Sequence, residues 1–250
     1  HIKSEYVYIH LNNASFLHCS SKIASGAMQI KVTGIKIKST FKINGTFFMQ
    51  NCEAKRNTGA LRGGTLLLER FGFVQFQFCY FYRNIANQEG GSLCLQNIKN
   101  LHFLDCSFQG DSVVSAGGSL YIEYINYAHF WQCNFTNSKA QVSGGGVYVG
   151  YTDKAVIEKS VFSRNSLKAK FSESRHVSSF NGAGCYCTDG KQVIISRSIF
   201  YLNSGSNGGG LGVNYCESFI TSHSLYIFNR VAALGAGMIL FRVGVAKNIN

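Results

Sequence analysis

Apolar residues in this chain recur at every second position over short stretches, and the stretches themselves recur. Leu66/Leu68, Leu93/Leu95, Leu120/Ile122, Val147/Val149, Cys185/Cys187, Leu211/Val213 and Met238/Leu240 each stand two and four residues after a pair of small residues. Alternation with period two marks strands rather than helices, because successive side chains of a strand point to opposite faces. A second alternating stretch follows at Val74/Phe76, Leu101/Phe103, Ala128/Phe130, Ala155/Ile157, Val193/Ile195 and Phe219/Thr221. A third pairs Cys79, Cys106, Cys133, Ser160, Ser198 and Ser224 with an aromatic two residues later. Each repeat therefore predicts three short strands with their apolar sides turned to one core.

Two landmarks set the period. The small pairs Gly63-Gly64, Gly90-Gly91, Gly117-Gly118, Gly144-Gly145, Gly182-Ala183, Gly208-Gly209 and Gly235-Ala236 advance by 27, 27, 27, 38, 26 and 27 residues, and a degenerate copy begins near Gly26. An aromatic falls 17 residues after the pair in six copies, at Phe81, Phe108, Phe135, Phe162, Phe200 and Tyr226. Three residues further on stands Asn84, Asp111, Ser138, Asn165, Asn203 or Asn229, and Phe48-x-x-Asn51 reads as the corresponding part of the first copy. A fixed period of this length is the mark of a solenoid. Three strands per 27 residues predict an all-β parallel β-helix; a propeller blade of about 40 residues does not fit. The whole span 1–250 reads as one β-helix segment of about eight coils, a rod of roughly 40 Å at ~4.8 Å per strand. Extra residues are expected near 53–62 and 167–180, after the aromatic turn, projecting from one edge. The aromatics form a structural ladder, each residue stacking on its own kind.

Composition agrees with this architecture. The chain has no proline and 27 glycines. Every inner coil donates backbone hydrogen bonds to its neighbour, which a proline cannot do, and the glycine pairs suit a turn with positive φ or a close approach between coils. No apolar run of about 18 residues and no leader-like pattern occurs, so neither a membrane span nor a signal peptide is expected in this stretch. The start at His1 and the end at Lys247-Asn248-Ile249-Asn250 suggest part of a longer protein.

Charge and cysteine narrow the partners. Lys and Arg number 24 against 12 Asp and Glu, a net charge of +12 that favours anionic partners such as acidic glycans, lipid headgroups or nucleic acid, although a solvated basic surface is the preferred reading. The basic residues are scattered and no zinc-finger or RNA-recognition signature accompanies them, so nucleic acid is not the expected partner. Nine cysteines cannot all pair internally. Cys185-x-Cys187 lacks zinc-ligand spacing, and neither a metal nor another cofactor is expected. The Cys79-Cys106-Cys133 column continues as serine, so it reads as buried free thiols rather than bridges. Sequons at Asn13, Asn44 and Asn134 suit a glycoprotein outside the cell.

The combination of Gly144-Gly145-Gly146-Val147 with Phe162-Ser163-Arg164-Asn165 resembles the repeats of the chlamydial polymorphic outer membrane protein family, from about Gly26 to Leu240. The resemblance implies a right-handed parallel β-helix with a role in adhesion or surface structure, and it brings no catalytic residues. Related repeats occur in surface proteins of other bacteria and of protists, which makes a surface or ciliary coat filament one setting.

Pectate lyases and polygalacturonases share the β-helix, so an enzyme must be weighed, although fold does not imply function. Those enzymes group carboxylates on one strand face. Here Glu69, Gln96 and Glu123 align five residues after the pair, placing the two carboxylates about 10 Å apart over two strand spacings. Inverting glycosidases hold theirs about 6.5–9.5 Å apart. The two glutamates are the alternative catalytic candidates, for a polysaccharide lyase or glycosidase; the favoured expectation leaves them as solvated strand-end residues. On the outward side of the first strand, Leu67, Tyr121, Tyr148 and Tyr186, extended by Tyr124 and Tyr151, form an apolar and aromatic strip expected to pack against other protein subunits or domains, the alternative being cover by an insertion or by the chain's own flanking segments. The chain is thus expected to be a non-catalytic extracellular or cell-surface segment, a rigid spacer and assembly surface, with an acidic-glycan-binding module as a further alternative.

Overall fold

Left-handed residues at fixed places turn an extended chain into closed coils. In the coil that begins at Leu66, Arg70 has φ 66° and bends the strand Leu66–Gln77 in its middle. Phe78 (φ 51°) then turns the chain into the strand Tyr80–Tyr82, Arg83 (φ 51°) into Ile85–Ala86, and Gly90 (φ 64°) into the next coil. The bend recurs at Asn97, Tyr124, Tyr151, Asp189, Tyr215 and Arg242.

The computed structural model describes residues 7–22, 25–31, 36–37, 40–41, 45–167 and 181–249. They form a parallel β-solenoid of about seven turns with three parallel sheets and no helix. The register is strict, with Leu66, Leu93, Leu120, Val147, Cys185, Leu211 and Met238 stacked in one column. The division into strands differs from the expected one. The first two stretches are halves of one 12-residue strand, joined through the left-handed residue. The third sheet is built mostly from two-residue strands such as Ile85–Ala86 and Ser112–Val113, too short to show any alternation.

The core fills the coil interior with ladders. Phe81, Phe108, Phe135, Phe162, Phe200 and Tyr226 stack at centroid separations of 4.6, 4.8, 5.0, 4.7 and 4.9 Å. Phe76, Phe103 and Phe130 form a parallel ladder at 4.9 and 5.2 Å. Beside them runs a buried polar ladder. Asn165 donates its backbone N–H to Oδ1 of Asn203 at 2.9 Å and its Nδ2 to the Phe135 carbonyl at 2.9 Å, and Asn203 repeats both bonds with Asn229 and Phe162. Turn groups that would otherwise be buried without partners are satisfied in this way.

The two glycines of a pair have different reasons. The first, as at Gly117 with φ 71°, adopts the left-handed region where a Cβ would crowd the Leu120 carbonyl. The second, as at Gly91, lies so close to the next coil that a Cβ would fall on the Gly118 carbonyl oxygen.

The start of the chain is registered differently from the expectation. Phe81 pairs with Ala54, not Phe48, and Asn84 hydrogen-bonds with Asn57. Asn51 is a left-handed corner residue (φ 50°). Residues 53–62 hold no extra segment, because Glu53–Lys55 and Thr58–Gly59 pair in step with Tyr80–Tyr82 and Ile85–Ala86. The extra residues instead interrupt the long strand: Met28–Lys31 pairs with Leu66–Glu69 and Gly45–Gln50 with the second half of that strand. Between them Lys36–Ile37 pairs antiparallel with Thr40–Phe41. An earlier coil is also present, with Val7–Asn12, Ser15–Leu17 and Ser20–Ser21 joining the three sheets. The later insertion falls between Leu167, which pairs with Ala140, and Asn181; residues 168–180 lie outside the described residues.

Candidate functional site

Glu69, Gln96 and Glu123 stand in direct register on three adjacent strands, as the repeat requires. Each is engaged by a neighbour. Lys31 Nζ lies 2.7 Å from Glu69 Oε2, Arg62 Nη1 donates to Gln96 Oε1 at 3.3 Å, and Gln96 Nε2 donates to Glu123 Oε2 at 3.3 Å. A fourth member lies in the segment before the glycine pair: Glu89, whose Oε2 is 2.9 Å from Arg62 Nε. Burial pushes the Glu89 carboxyl above its ordinary value, and Arg62 opposes the shift. Burial, with Glu89 next in weight, pushes the Tyr121 phenol far up and leaves it neutral. The cluster is an ionic and amide seam across three coils. Two open grooves lie away from it, one of about 270 Å³ along Ile85, Val113 and Lys139, another of about 550 Å³ at Leu202, Phe228 and Arg230. Among the described residues no group of three His, Cys, Asp or Glu side chains is placed to hold a metal ion.

The strip expected to be an exposed assembly surface is largely covered. Leu67, Tyr121 and Tyr186 are 5%, 6% and 8% exposed, and Tyr148 is half-buried. The cover is the chain itself: Arg62, Glu89, Ala116 and Ser143, linked by parallel bridges, fold back over the outward side of the strand, and Ala116 packs with Leu67, Cys94 and Tyr121. Only Tyr124 and Tyr151 stand free, 52% and 46% exposed and stacked at 4.9 Å. The covering segments have no alternating pattern, and only the fold reveals where they lie.

Asn13 and Asn134 are exposed, the first at a left-handed corner (φ 53°) and the second at the head of the strand Asn134–Thr136. Asn44 lies outside the described residues. All nine cysteines are free thiols and eight are buried, Cys79, Cys106 and Cys133 of the serine-continued column among them.

A second surface escaped the sequence reading. On the outward side of the second half of the long strands, Phe48, Phe73, His102, Tyr127, His129 and Trp131 form a continuous aromatic run. It has no fixed offset from the glycine pair, since Phe73 and Tyr127 share one register column while Phe48, His102 and His129 share another. Counting aromatics at all outward positions together would have found it. Comparison with protein-family models, curated proteins and solved structures finds no match for this chain.

Proposed function

We propose that this chain is a non-catalytic segment of an extracellular or cell-surface protein, a rigid spacer whose outer faces make contacts with other subunits or surface components. The observation that carries the reading is the unbroken Phe ladder with the polar ladder of Asn165, Asn203 and Asn229 beside it: the interior is given over to stacking coil on coil, and repetition supplies length and stiffness. The exposed sequons at Asn13 and Asn134 and the likeness of the repeats to polymorphic outer membrane protein repeats favour a surface location. The ion pair at Glu69 and the hydrogen bond that Glu123 accepts from the Gln96 amide favour a structural role for the two carboxylates.

The competing reading is a polysaccharide lyase or glycosidase at Glu69, Glu89 and Glu123. Incubation with charged and neutral polysaccharides, followed by a reducing-end assay, separates the two. The proposal expects no chain cleavage. Cleavage by the unmodified protein that Glu123→Gln or Glu89→Gln abolishes would replace it with the enzyme reading.

A further inference from the structure

The aromatic run on the outward sheet face is not accounted for by the core. Phe48, Phe73, His102, His129 and Trp131 are each half-buried, with successive centroids 5.4, 5.3, 5.9 and 6.1 Å apart. Tyr127 joins them 5.6 Å from His102. The rings cross four neighbouring strands, about 15 Å along the solenoid axis at ~4.8 Å per strand. Amides lie among them: Gln75 sits between Phe48 and His102 in register, and exposed Asn100 between Phe73 and Tyr127. Burial, with His129 second, pushes the His102 imidazole below its ordinary value, so it presents a neutral ring.

One end of the run is basic. Lys159 Nζ lies 4.1 Å from the Trp131 ring centroid, and Lys154 is the register partner of Tyr127. Lys159 and Arg197, both exposed, follow the register partners Glu158 and Ser196 and so occupy the same corner of adjacent coils. Glu158, the register partner of Trp131, is taken up by His129 at 3.0 Å and by the Ser196 hydroxyl at 3.3 Å. Among the described residues none of the three cations is ion-paired.

We propose that this face binds an anionic polysaccharide lying along the solenoid axis, with its pyranose rings against the aromatic run and its carboxylates or sulfates at Lys154, Lys159 and Arg197. A repeating ligand suits a platform on which ring and amide groups recur at single-strand spacing. Rings, amides and cations thus stand together on one face. The net charge of +12 adds long-range attraction for a polyanion. The site deepens the surface-protein reading by giving it a ligand class, yet it uses none of Glu69, Glu89 or Glu123.

The test is titration calorimetry with alginate as the carboxylated polymer, dextran sulfate as the sulfated one and dextran as the neutral one. Binding to one or both charged polymers is expected, weakening as salt rises, and the arm that binds identifies the acidic group. Trp131→Ala should weaken binding by about tenfold; the double charge reversal Lys154→Glu/Lys159→Glu should do the same, and it serves if Trp131→Ala fails to fold. Tyr124→Ala, on a different corner, should leave affinity unchanged. Absence of binding to both charged polymers, equal binding to dextran, or affinity unmoved by the substitutions at Trp131, Lys154 and Lys159 would overturn the proposal. Binding accompanied by chain cleavage would support the site while removing the non-catalytic reading.

Discussion

Asn84 donates its backbone N–H to Oδ1 of Asp111 one coil away at 2.8 Å, while the other oxygen of Asp111 is buried without a hydrogen-bond partner. At equivalent rungs an asparagine amide fills that place and donates to a backbone carbonyl, as Asn84 does to Ala54 and Asn165 to Phe135. An aspartate can imitate this only when protonated.

The consequence is a pH-dependent stability. Burial raises the Asp111 carboxyl to about 7 against backbone and side-chain hydrogen bonds that lower it. Between its unfolded and folded values the folded chain holds a proton that the unfolded chain has lost, so stability falls as pH rises from about 4 to about 7 and levels off above. The loss from this one group is on the order of 4 kcal/mol. Urea denaturation across this range should show the slope, and Asp111→Asn should remove it and stabilise the protein at neutral pH. An unchanged slope in Asp111→Asn would show that some other group titrates.

Gly117 and Gly110 are both left-handed but predict different responses. Gly117→Ala forces a Cβ towards the Leu120 carbonyl at positive φ and should cost about 2–4 kcal/mol or more. Gly110 also has positive φ (69°), but a Cβ there meets only the Arg83 Cγ at 3.4 Å, and the neighbouring coils carry Arg83 and Asn137 in the same left-handed place. Gly110→Asn should therefore be neutral within about 0.5 kcal/mol, since asparagine tolerates this region. Equal destabilisation by both, measured as midpoint shifts in urea, would refute the assignment of the two turns.

The Phe ladder should be most sensitive where it is flanked on both sides. Phe135 is fully buried between Phe108 and Phe162. Phe135→Ala opens a cavity in the middle of the rod and should cost about 3–5 kcal/mol, and Phe135→Leu distinctly less. Tyr226, half-buried and stacked on Phe200, should give a smaller loss as Tyr226→Ala. A uniform cost along the column would mean that stacking from both sides adds nothing.

Much of this fold is written in the sequence because each weak local signal is repeated at one offset. Phe81, Phe108 and Phe135 are individually unremarkable aromatics, but a common separation of 27 residues makes them a column. The same dependence explains the misreading of the first coils. Ala54 stands where the aromatic belongs, so in the sequence Phe48 imitates it, and the extra residues then read as following Asn51 although they lie between Lys31 and Gly45. The surface was less legible. Which outward residues stay exposed depends on how the segments holding Arg62, Glu89 and Ala116 fold back; these keep the 27-residue spacing but share no residue type and no alternating pattern. Glu89 joined the acidic seam, and Tyr121 left the surface, for that single reason.

Thiol reactivity tests the interior of the solenoid as a whole. Cys19 is half-exposed; the other eight cysteines are buried. The Cys79 thiol is pushed far up, first by its contact with Cys106 and then by burial, and burial leads the same shift at Cys106. Cys185 and Cys187 lie with their sulfurs 3.8 Å apart in the core, and that contact, with burial, holds Cys187 protonated. Since the thiolate is the reactive species, both exclusion and protonation protect these groups. Iodoacetamide labelling of the native protein, read by peptide mapping, should modify Cys19 rapidly and the remaining eight only at the rate of unfolding. Rapid modification of Cys106 or Cys133 would show that the middle coils open independently, which a rod held by continuous ladders does not allow.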